Sequence, residues 1–176
     1  NETDNLELPP LGIRRMKSEA AKDLPLKKYE KYPCEMIGEQ EEAYKNYINT
    51  INSASQSGNS ISAFKKINLL RSCSLHHSRL ELAQKEKTGI GDFLLKSARI
   101  RKTVEILTDI KSRKEKALVF LETVEMQYLL QSFFVEHFQL DKVEIINGDV
   151  SVPRRAQIVK DFQNNIDNDQ FDLLIL

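Results

Sequence analysis

Few side chains in this sequence combine type and spacing in a way that could do chemistry. Cys73, His76 and His77 lie close together, and Cys-x-x-His can supply two ligands of a zinc shell. Only one other cysteine, Cys34, and one other histidine, His137, exist, so the trio reads as core and surface residues of a helix. No G-x-x-x-x-G-K-[ST] phosphate loop occurs, and Gly89-Ile90-Gly91 has neither the spacing nor the lysine. No Asp-Glu box is present to hold Mg²⁺ and position water. What remains is the stretch VEIINGDVSVPRRAQIVKDF, Val143–Phe162. Val143–Ile146 reads as a short buried strand, and Asn147-Gly148 as a turn in which glycine adopts angles that a Cβ resists. Ser151 stands where a helix cap belongs and Pro153 lies in the first turn. Ala156, Val159 and Phe162 recur at helical spacing with Ile158 beside them. This is one βα unit of an open α/β domain, and such domains bind ligands in loops beyond the C-terminal strand ends.

The elements that must position this unit follow from periodicity. Ser97 caps a helix with the apolar stripe Ile100, Val104, Leu107 and Ile110. Ala117–Leu121, ALVFL, has the continuous apolar character of a strand covered on both faces. Thr123 caps a helix that is apolar around much of its circumference, through Met126, Leu129, Leu130, Phe133, Phe134 and Phe138. The three phenylalanines could stack on bases, but their helical spacing points to core packing. Asp172–Leu176, DLLIL, is a further buried strand. Strands alternating with helices from Ser97 onward predict an α/β fold with a parallel sheet and right-handed crossovers.

The region before Ser97 is mostly helical. Residues 1–25 are punctuated by Pro9, Pro10 and Pro25, with one short helix expected over Ile13–Lys22. Tyr32, Cys34 and Met36 alternate, so Leu26–Met36 is expected to be an edge strand interrupted by Pro33. Tyr44, Tyr47, Ile48 and Ile51 predict a helix over Glu39–Asn52, followed by a polar loop, Ser53–Ser60. Phe64, Ile67, Leu70 and Cys73 predict a helix over Ile61–Leu75, with His76 and His77 as imidazolium groups suited to its C-terminal dipole. Lys85–Gly91 is expected to be a second polar loop.

Composition sets the outer bounds. The 176 residues are 40% hydrophobic and 30% charged, which fits a folded chain rather than disorder. No apolar run approaches the ~20 residues that a bilayer span needs, and NETDNLELPP has no signal pattern. Two cysteines make no disulfide framework, so an intracellular setting is expected. The formal net charge of +0 hides a net of −2 over residues 1–61, +8 over 62–118 and −6 over 119–176. The basic middle can face a polyanion or form a solvated helical surface. Because DLLIL ends the chain inside a strand, the sequence is expected to be part of a longer protein.

Four segments resemble the SWI/SNF-type translocases of helicase superfamily two. IRRMKSEAAKDLP, Ile13–Pro25, followed by Lys27, Gln40 and Tyr44, is similar to Arg-Arg-x-Lys, Leu-Pro-x-Lys and Gln-x-x-x-Tyr signatures. LLRSCSLHH, Leu69–His77, resembles a Leu-Arg segment ending in His-Pro, with His77 replacing the proline. SARIRKTVEIL and KALVFL resemble motif IV and its preceding Ser-x-Lys helix, with Arg99 standing in for lysine. INGDVSVPRRAQIVKDF is similar to the Gly, Arg and Phe pattern between motifs IV and V. The resemblance covers about Leu8 to Leu176.

It implies an inter-lobe connector over 1–37, a helical protrusion over 38–92, and the first part of the second RecA-like lobe over 93–176. The whole protein would be an ATP-dependent translocase that remodels protein–DNA complexes. ATP and Mg²⁺ would bind between two lobes, mainly on the first. Partners would be double-stranded DNA, the first RecA-like lobe and protein on DNA, with no membrane, and the location intracellular and DNA-associated. The chain alone is expected not to hydrolyse ATP. The resemblance places DNA-backbone contacts at Glu122 and Thr123, and at Gly148, Asp149 and Arg154. Backbone N–H groups at the Gly turn and the helix start can meet phosphate, and Arg154 adds charge; a solvated helix face would explain Arg154 and Arg155 equally well. Arg14, Arg15 and Lys17 would bind phosphate or sit between lobes. Two alternatives stand beside this: a non-catalytic α/β module that binds a protein partner, and the second lobe of another superfamily-two RNA or DNA helicase.

Overall fold

The computed structural model describes residues 16, 27–56, 62–78, 89–164 and 171–176. The chain divides into two units, 1–32 and 33–176. In the first, Lys27–Tyr32 is exposed and forms no helix or strand. The Lys27 ammonium lies 4.6 Å from the Tyr29 ring centroid, and the Tyr32 hydroxyl donates to Glu30. The strand expected over Leu26–Met36 is absent from its described part, Lys27–Met36. Alternation alone does not make a strand, and no strand among the described residues offers this segment a ladder. The helix expected over Ile13–Lys22 lies outside the described residues apart from Met16.

The second unit begins with two helices packed on each other, α1 (Glu39–Gln56) and α2 (Ala63–Leu75). Gly38, at φ +58°, makes the left-handed entry into α1. α1 runs four residues past Asn52, into the expected polar loop. Ser62 caps α2, its side chain accepting from the Lys65 N–H. The short α3 (Ile90–Leu94) then starts within the expected loop Lys85–Gly91. Gly91 lets α3 approach the later helix Val124–Phe138, because a Cβ there would meet the Phe133 ring at 3.2 Å.

α4 (Ala98–Ser112), β1 (Lys116–Val119), α5 (Val124–Phe138), β2 (Glu144–Ile145), α6 (Val152–Asn164) and β3 (Asp172–Ile175) complete the chain. The sheet is parallel in the order β1-β3-β2, with Leu118 opposite Leu174 and Ile145 opposite Ile175. This is the alternating α/β order expected from sequence. The core lies on one face. There Phe93 and Leu94 of α3, Ile100, Val104 and Leu107 of α4, and Met126, Leu130, Phe134 and Phe138 of α5 meet Ala117, Ile145, Leu173 and Ile175.

The opposite face is less covered, and two expectations fail there. α6 buries Ile158, while Ala156 is exposed and Val159 is 39% exposed, so the inward stripe runs through Arg155, Ile158 and Phe162 rather than Ala156, Val159 and Phe162. β1 is not covered on both faces: Leu118 is 50% and Phe120 73% exposed. The crossover α6 joins β2 to β3, and Lys116 at the start of β1 meets its Phe162, while Leu118 stays half exposed.

Buried polar groups join the helical region to the sheet layer. Gln40 of α1 is fully buried. Its Nε2 donates to the carbonyls of Cys73 and Ser74, and its Oε1 accepts from the Ala98 N–H. Ser97 Oγ donates to Leu75 O at 2.5 Å and accepts from the Ile100 N–H. His76 is not the imidazolium expected at the end of α2. Its Nδ1 accepts from the Ser78 N–H, so Nε2–H donates to Phe93 O at 2.8 Å, and burial lowers its pKa. Cys73 is buried beside it, which raises the thiol's pKa.

The basic middle of the chain is partly consumed within the fold. Lys111 Nζ donates to Phe138 O at the end of α5, and Lys116 Nζ to Phe162 O near the end of α6. Arg101 Nη1 donates to Leu95 O. Helix C-termini offer unpaired carbonyls and partial negative charge, so these cations complete helix ends.

Candidate nucleic-acid interface

Because the three strands are parallel, all their C-terminal ends emerge on one edge. The loop after β1 carries Glu122 and Thr123, and the loop after β2 carries Asn147, Gly148 and Asp149. β3 lies between them, so the loops stand about two strand spacings, ~10 Å, apart. The ladder fastens each just short of its tip. Leu121 N–H donates to Leu176 O at 2.8 Å, and Ile146 N–H to Ile175 O at 2.9 Å.

Beyond those points side chains take over. Asn147 Oδ1 accepts from the Asp149 N–H at 3.0 Å, folding the turn around Gly148. Arg155 holds the turn from below, donating to Asn147 O and Val150 O, each at 2.8 Å. Those carbonyls are thereby neutralised. The Gly148 N–H has no partner among the described residues, and a Cβ at Gly148 would meet nothing within 4 Å. Thr123 occupies the N-cap position of α5 without a side-chain cap hydrogen bond. Ser151 immediately precedes α6, and its carbonyl accepts from the Arg155 N–H.

Two charge pairs lie nearby. Arg71 of α2 bonds Glu122 at 2.6 Å, tying the helical region to the β1 loop. Arg154 bonds Glu144 at 2.8 Å and is about half exposed. Its guanidinium therefore engages the start of β2 rather than the Gly148 turn. An open groove of about 1290 Å³ runs from the β1 loop to α2, lined by Phe64, Arg71, Arg99, Phe120, Glu122 and Thr123 among others. Arg99 is exposed at the start of α4. Arg14, Arg15 and Lys17 lie outside the described residues.

Two residues central to this edge are not among the contacts that the resemblance places. Gln127 is 4% exposed and sits between the loops; its Nε2 donates to Leu121 O and its Oε1 accepts from Asn147 Nδ2. Arg155, rather than Arg154, supports the turn. The sequence signal for Gln127 was a lone amide beside Met126, inside the apolar arc of α5.

Solved structures resemble this arrangement. The SWI2/SNF2 ATPase core of Sulfolobus solfataricus in complex with dsDNA matches over 81% of this chain at a TM-score of 0.63 and 19% identity. The fold is that of part of a SWI2/SNF2 ATPase core. The C-terminal domain of the Sulfolobus ATPase matches over the same share at 0.58 and 21%, and its core domain at 0.63 and 18%. The chain spans 30%, 60% and 28% of those three structures. The sequence matches no protein-family model and no curated protein. The likeness is therefore one of fold, an α/β RecA-like sheet with a helical region ahead of it.

Proposed function

We propose that the chain is the helical protrusion and first part of the second lobe of an ATP-dependent, SWI/SNF-type translocase, and that its strand-end loops hold the backbone of duplex DNA. The observation that carries this reading is the fold likeness to an ATPase core solved with dsDNA. In this reading residues 1–37 connect the lobes, 38–92 protrude and 93–176 form the lobe. The Gly148 and Thr123 N–H groups meet phosphate oxygens as neutral donors. Arg71 and Arg154 exchange Glu122 and Glu144 for phosphate, and Arg99 adds charge from the groove wall. The whole protein moves along DNA and displaces bound protein.

In this reading ATP and Mg²⁺ bind between the parent protein's two lobes, held mainly by the other one. This sequence supplies no phosphate loop to hold the triphosphate. The 176-residue chain is accordingly expected to show no ATP turnover with or without DNA. DNA-stimulated hydrolysis by the purified chain would overturn that.

Binding of a fluorescent duplex at increasing salt tests the DNA contact. The expected log K falls linearly with log salt, and Arg99→Gln or Arg154→Gln each lowers the slope by about 0.9, one phosphate. Salt-independent binding, or none, defeats it. A second reading has its own observation: Phe64 and Ile67 of α2 are 74% and 54% exposed. A protein-binding module using that face would bind no duplex and would lose its partner on Phe64→Ser.

A further inference from the structure

We infer that Gln127 is a positioning residue whose side-chain amide joins the loops after β1 and β2 into one receptor for the DNA backbone. This inference rests on the function proposed above. Beyond Leu121 and Ile146 the described residues show no backbone hydrogen bond between the two loops. The Gln127 amide spans that gap. It donates to Leu121 O at 3.3 Å on one side and accepts from Asn147 Nδ2 at 3.1 Å on the other. At 4% exposure it is shielded from competing water.

The contact on Asn147 is the important one. The same side-chain amide accepts the Asp149 N–H through Oδ1, so its orientation shapes the turn that presents the Gly148 N–H. With Arg155 on the turn's carbonyls and Gln127 on Asn147, the Gly148 donor is held outward with little freedom. Gln131, one turn along α5, fixes the approach to β2 by donating to Val143 O at 2.6 Å. α5 thus carries two amides on the side facing β2, and only Gln127 reaches both loops. A ligand touching both loops then gains from their preset spacing, as a bivalent ligand gains from a matched linker.

The test is an amide NMR titration of the 176-residue chain with a short duplex, following Thr123 and Gly148. In the unsubstituted chain both amides shift along one isotherm. Gln127→Met keeps the shape but removes both hydrogen bonds. Asn147→Ser keeps an acceptor for the Asp149 N–H but is too short to reach Gln127, and it serves if the first variant fails to fold. Either substitution is expected to separate the midpoints, with Gly148 weakened about tenfold or more. Coincident, unmoved midpoints in a folded variant overturn the inference and leave the DNA reading standing. Equal weakening at both amides assigns Gln127 a purely structural role and also overturns it. No shift at either amide in the unsubstituted chain overturns the DNA reading and the inference together.

Discussion

Single buried polar groups carry much of the specificity here. Gln40 satisfies two carbonyls of α2 and one N–H of α4 while itself fully buried. Replacing it with leucine orphans all three. Gln40→Leu is therefore expected to cost about 3 kcal/mol in urea unfolding. An unchanged midpoint would show that water reaches the junction. His76 gives a pH dependence of known sign. Burial holds its folded pKa below the ordinary 6.5. As pH falls below 6.5 the unfolded chain takes up a proton that the folded chain refuses, so stability drops until the folded group titrates. At its steepest the loss approaches ~1.4 kcal/mol per pH unit. Unfolding between pH 7 and 5 should show this slope, and His76→Asn should flatten it. Glu39, lowered by its bond to His77 and then by Lys96, loses its contribution only at more acidic pH, below its ordinary 4.5.

At the scale of elements, helix ends are completed by distant cations. Lys111 and Lys116 lie either side of the turn into β1, yet they reach the C-termini of α5 and α6. Lys111→Met keeps the stem on the Phe138 ring, which the ammonium overlies at 5.7 Å, and removes the donor. The expected loss is about 1 kcal/mol, largely insensitive to added salt because the contact is part-buried. The +8 segment, open from sequence to a polyanion-facing or a solvated helical surface, is instead partly used inside the fold. Charge counts along a chain carry no information about partners 27 or 46 residues away. Periodicity served better. The stripes of α4 and α5, the parallel order and the buried DLLIL strand were all legible because burial repeats at 3.6 or 2 residues. The α6 stripe was misread by one position because Arg155, half-buried under the Gly148 turn, is polar at an inward site. Gln127 escaped for the same reason, and Gln40 was marked only by its place in the Gln-x-x-x-Tyr resemblance: a satisfied buried amide looks like a surface residue until its partners are known. The loops bearing Glu122, Thr123, Gly148 and Asp149 were placed correctly at the strand ends, since parallel topology alone puts them there.

At the scale of the whole molecule, the sheet is lopsided. Three helices cover one face and α6 covers part of the other, so Leu118 on β1 and Phe120 just past its end stand open. β1 is also an edge strand. Val119 O accepts from the Leu176 N–H on one side, so the N–H and C=O of Leu118 point outward, away from β3. An apolar edge with unpaired backbone groups invites pairing between molecules. Since both side chains already contact water, replacing them should cost little folding energy, unlike the buried Phe134, whose truncation to alanine is expected to cost about 4 kcal/mol. The double variant Leu118→Lys, Phe120→Ser is therefore expected to unfold within ~1 kcal/mol of the unsubstituted chain while binding less hydrophobic dye and self-associating less at high concentration. Light scattering and urea unfolding on the same samples separate the two effects. A large loss of stability would mean that the two side chains are covered in solution, and the open face described here would then be wrong.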